Sequence, residues 1–66
     1  MSLHLIGTKF SCVADGEPPS EVDGNELASN NADDSHFYGW IEFAAVGDKY
    51  QGGGGAAPEF EVQRVA

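Results

Sequence analysis

The stretch His36–Val46 reads HFYGWIEFAAV and holds the densest run of aromatic residues in the chain. Taken at a period of two, Phe37, Gly39, Ile41 and Phe43 share one face. His36, Tyr38, Trp40 and Glu42 share the other. Aromatic and β-branched residues suit a pleated surface. Both faces are partly apolar, so the stretch is predicted to be a central strand.

On its C-terminal side, Gly47-Asp48 reads as a turn, with Tyr50 extending a hairpin arm beyond it. Gly52 to Gly55 reads as a flexible loop, long enough to order on binding. A last strand is expected from Glu59 to Val65, with Phe60 and Val62 inward and Glu59, Glu61 and Gln63 outward.

On its N-terminal side, Asn30, Asn31, Asp33 and Asp34 make a loop. A short helix is expected before it, from Glu21 to Ser29. Ser20 and Asp23 form a weak capping-box variant, and Glu21 and Asp23 sit in the first turn. Val22 and Leu27 would anchor that helix, and Gly24 would cost it about 1 kcal/mol relative to Ala. Pro18-Pro19 ends any strand, and Asp15-Gly16 reads as a turn. In Leu3–Val13, the apolar parity switches near Ile6-Gly7. One strand with a bulge fits, and so do two short strands. The expected fold is α+β, in the order strand-helix-strand-strand. A three-stranded antiparallel sheet has one face covered by the helix and the acidic loop. Residues 1–66 form a single small domain.

Length limits what such a domain can do. At 66 residues and 7.0 kDa, the chain buries only about 60% of its unfolded surface. A dinucleotide-binding fold or a barrel does not fit. With 41% hydrophobic and 11% aromatic residues, the composition is not that of a disordered chain.

Charge is the strongest number. Eleven acids face three bases, for a net charge of −8 and a pI near 4.2. This sign excludes direct binding of nucleic acid through its phosphates, and docking on anionic membranes. The natural partners are basic surfaces. The lone Cys12 cannot make an internal disulfide, which favours a reducing compartment. The first residues lack a basic n-region, and no apolar run approaches the ~20 residues of a membrane span. The expected location is cytoplasmic.

Motifs for chemistry are sparse. Gly52 to Gly55 lacks the Gly-Lys-Ser/Thr ending and following helix of a phosphate loop. Asp15, Glu17, Asp23, Asn25 and Glu26 do not match an EF-hand. Asp33, Asp34 and His36 are close in sequence, but their spacing is not diagnostic of zinc. Cys12 sits in an apolar strand, where cysteine is usually inert packing, and acidic surroundings would raise its pKa. Ser35-His36 is mere adjacency. No enzyme activity and no cofactor are expected.

The acids themselves remain. Eight lie between Ser11 and Gly47, with no Lys or Arg among them. Seven of the eleven fall between residues 15 and 34. The ordinary explanations are a solvated face or salt adaptation. Clustering argues against the second. A domain of this length is about 28 Å across. Duplex DNA carries ~16 charges over that distance, so a net −8 is about half its density. Acids gathered on one face would approach the density of DNA, and Arg pairs bidentately with carboxylates as it does with phosphates.

Small size, the acid run, a lone cysteine and no catalytic motif together make the chain resemble phage anti-CRISPR proteins of the small acidic DNA-mimic type. The likeness is one of type across the whole chain. Those proteins share no motif, so no residue roles carry over. The resemblance implies a non-enzymatic inhibitor that binds a basic nucleic-acid-binding protein, such as a CRISPR effector subunit, and blocks target DNA. The candidate contacts are Glu17, Glu21, Asp23, Glu26, Asp33 and Asp34. Tyr38 and Trp40 are candidate aromatic anchors, with core packing the competing role for Trp40. The expected state is monomer or weak dimer. The alternative is a small viral structural or assembly accessory protein whose acids only confer solubility. A metal protein or enzyme using His36, Asp33 and Asp34 ranks third.

Overall fold

The computed structural model describes residues 5–14, 16–54 and 57–66. In chain order these form β1 (Lys9–Ala14), β2 (Ser20–Asp23), α1 (Gly24–Asn30), α2 (Ser35–Phe43), β3 (Lys49–Gly54) and β4 (Ala57–Arg64). The strands make one antiparallel sheet in the order β2-β1-β4-β3. The α+β class and the antiparallel sheet match the expectation. The counts do not, because among the described residues the sheet has four strands and there are two helices.

The stretch around Trp40 accounts for one difference. Ser35–Phe43 is helix α2, not a central strand. Asp34 is its N-cap, and the Asp34 carboxylate accepts from the Phe37 amide at 3.1 Å. Phe37, Ile41 and Ala44 then fall at i, i+4 and i+7, and all three are buried, whereas Phe43 is 87% exposed. Apolar residues are so dense here that both periods fit the sequence, and the cap decides. The helix lays an aromatic cluster over the sheet. Phe37 stacks on Tyr50 with ring centroids 4.8 Å apart, and Trp40 meets Phe10 edge-on at 5.6 Å.

The second difference lies before α1. Ser20–Asp23 is a strand paired with β1, placing Phe10 opposite Val22 and Ser11 opposite Glu21. The helix therefore starts at Gly24 rather than Glu21. Asp23 caps it, accepting from the Asn25 amide at 2.9 Å. Gly24 is buried, and its amide donates to the Thr8 carbonyl at 2.9 Å. An added Cβ there would overlap Thr8 and lie 2.8 Å from the Phe10 ring. Close approach to β1 is what the glycine provides.

Gly52 and Gly54 belong to β3, opposite Phe60 and Ala57, with a register irregularity between them and Gly53 at φ 75°. They are strand residues rather than a free loop, while Gly55 lies outside the described residues. Ahead of β1, the Thr8 amide and hydroxyl both donate to the Leu5 carbonyl. That turn, with Gly7 at φ 88°, starts the first strand at Lys9. Leu3 and His4 lie outside the described residues. The expected turn at Gly47-Asp48 is present: the Asp48 carboxylate accepts from the Ala45 amide at 2.9 Å. The core comprises Leu5, Phe10, Leu27, Ala28, Phe37, Ile41, Ala44 and Val62.

Candidate acidic binding face

Strand register sorts side chains by face. Phe10, Cys12, Val22, Tyr50, Phe60 and Val62 belong to or pack against the core under the helices. The alternate residues Lys9, Ser11, Val13, Glu21, Asp23, Lys49, Gln51, Glu59, Glu61 and Gln63 make the other face. No described helix covers it.

This face carries two files of carboxylates. Glu21 and Asp23 stand on β2, and Glu59 and Glu61 on β4. Alternate residues of a strand are ~6.8 Å apart, and files separated by one intervening strand are ~9.6 Å apart. Glu17 joins Glu59 and Glu61 around a depression of about 250 Å³ that Val13 and Phe60 also line. Lys9, on the intervening β1, pairs with Asp23 at 3.6 Å.

The six predicted contact acids therefore divide. Glu17, Glu21 and Asp23 lie on the sheet side, in the β1-β2 connection and on β2. Glu26, Asp33 and Asp34 belong to the helical layer and its connection. Two of the six hold the fold together. Asp23 and Asp34 cap α1 and α2. The Asn25 amide holds the Asp23 carboxyl below its usual range. Burial opposes this, and Lys9 and the amides of Gly7 and Glu26 reinforce it. Glu17, Glu21, Glu26 and Asp33 are exposed. Glu59 and Glu61 were legible as outward residues of the last strand, yet lay too far along the chain to join the acid run.

Tyr38 and Trp40 are partly buried against the core. In the helix, Trp40 turns to the Phe37 side, with their rings 6.2 Å apart, rather than opposite it. Cys12 lines an apolar cavity of about 240 Å³ with Leu27, Phe37, Phe60 and Val62. Burial pushes its thiol pKa up. Desolvation is the cause, not the acidic surroundings that the sequence suggested. Among the described residues, no group of three or more His, Cys, Asp or Glu is placed to hold a metal ion. No described helix is long and apolar enough to cross a membrane.

Comparison with protein-family models, curated proteins and solved structures finds no match for the chain.

Proposed function

We propose that this protein is a non-enzymatic inhibitor acting as an acidic DNA mimic. Its sheet face docks on the basic nucleic-acid-binding surface of a defence complex, in the manner of the phage anti-CRISPR proteins it resembles. The supporting observation is the pair of carboxylate files on a face that no described helix covers. Files of Glu21 with Asp23 and Glu59 with Glu61 offer regularly spaced acceptors to Arg forks and Lys heads. At ~6.8 Å spacing, each file has half the linear charge density of one DNA strand. Lys9 neutralises one end, so the binding charge concentrates at Glu17, Glu21, Glu59 and Glu61.

The test is displacement. Purified CRISPR surveillance complexes, each holding labelled target duplex, are titrated with the protein. At least one complex should release its duplex near equimolar protein, less completely as salt rises. Retention of the duplex by every complex, even at low salt, would sink the proposal.

A specific observation favours the assembly reading as second choice. Phe43 and Val46 are 87% and 63% exposed, close together in the chain at the end of α2. Binding through them would survive high salt.

A further inference from the structure

The two edges of the sheet are built differently. Edge β2 has four residues, follows Pro18-Pro19 and carries Glu21 and Asp23. Short length, proline and charge are the devices that keep an edge from pairing. Edge β3 has six residues, KYQGGG, with no acid and no proline. Its far side has no neighbouring strand among the described residues. The register irregularity comes only after Gly52, so Lys49–Gly52 is regular.

We propose that β3 pairs antiparallel with β3 of a second copy, joining two sheets across a two-fold axis at Tyr50. Charge complementarity selects this occupant and this register. An edge without carboxylates is the least repulsive approach for two chains of net charge −8. With Tyr50 opposite its own copy, Lys49 faces the second copy's Gln51. Within one chain, Gln51 is opposite Glu61 on β4. Lys49 of one chain and Glu61 of the other therefore occupy one row on the same face, ~9.6 Å apart between backbones. The two side chains span that gap. Neither residue has an ion-pair partner in the single chain among the described residues. The two-fold axis makes the pair twice.

Sedimentation equilibrium of the full chain at low salt tests this. The wild type should move from 7.0 kDa to twice that mass as concentration rises. Lys49→Glu and Glu61→Lys should each weaken the dimer roughly tenfold. The double variant K49E/E61K should restore it, as should an equimolar mixture of the two single variants. Circular dichroism confirms that each variant is folded. A wild type that stays monomeric at every concentration overturns the proposal. So does a dimer indifferent to both reversals, which would place the contact elsewhere, such as at Phe43.

Discussion

Gly24 and Asp23 are adjacent and show how single residues set this fold. By helix propensity, Gly24→Ala would stabilise α1 by about 1 kcal/mol. Against Thr8 and Phe10 there is no space for the methyl, and overpacking of this kind costs about 1–3 kcal/mol. Overpacking should win, so G24A is expected to lower the urea midpoint. Asp23 carries a pH signature. Its folded pKa is depressed, so its contribution is present above the unfolded value of about 3.9 and is lost as pH falls through the folded value. Urea titrations between pH 5 and pH 2 should show wild type losing more stability than Asp23→Asn, which keeps a capping side chain without the charge. Asp34→Ala should cost about 1 kcal/mol through the α2 cap, read in the same way. Charge reversals aimed at binding should therefore leave Asp23 and Asp34 alone.

Elements tell how much was legible. The last strand and the turn at Gly47-Asp48 follow from strict alternation and turn chemistry, and the structure agrees. Tyr50 does lie in a strand, but its hairpin partner is β4 and not the 36–46 stretch, which is helical through Phe43. Helix α2 was hidden because nearly every residue from Phe37 to Phe43 is apolar, so no period stands out. Only Asp34, three residues before Phe37, gave a start signal. Strand β2 was hidden because four residues are too few for a pattern and Asp23 ends the strand while capping the helix. The two readings of 36–46 predict opposite mutants. A strand would bury Phe43 with Ile41. The helix leaves Phe43 87% exposed and Ile41 1% exposed. Phe43→Gln should therefore change stability by less than about 0.5 kcal/mol, while Ile41→Gln should largely unfold the domain. Near-ultraviolet circular dichroism and urea midpoints of both variants check this.

At the scale of the whole molecule, charge is readable from composition, but its placement is not. The acid run by itself left open whether its members share a face. Folding sends Glu17, Glu21 and Asp23 to the sheet side with Glu59 and Glu61, and leaves Glu26, Asp33 and Asp34 in the helical layer. Strand pairing brings residues about forty positions apart in sequence into one face, and no run of acids reveals that. The sheet-face proposal is tested most directly by moving equal charge at two places. Glu21→Lys with Glu59→Lys, and Glu26→Lys with Asp33→Lys, each change the net charge from −8 to −4 (−8 + 4). Both pairs are compared in the duplex-displacement titration with the surveillance complex that responds to wild type. We predict that the sheet-face pair loses displacement by at least about tenfold while the helical pair keeps it. Equal loss from both pairs, or loss confined to the helical pair, would contradict the assignment of the sheet face as the binding surface.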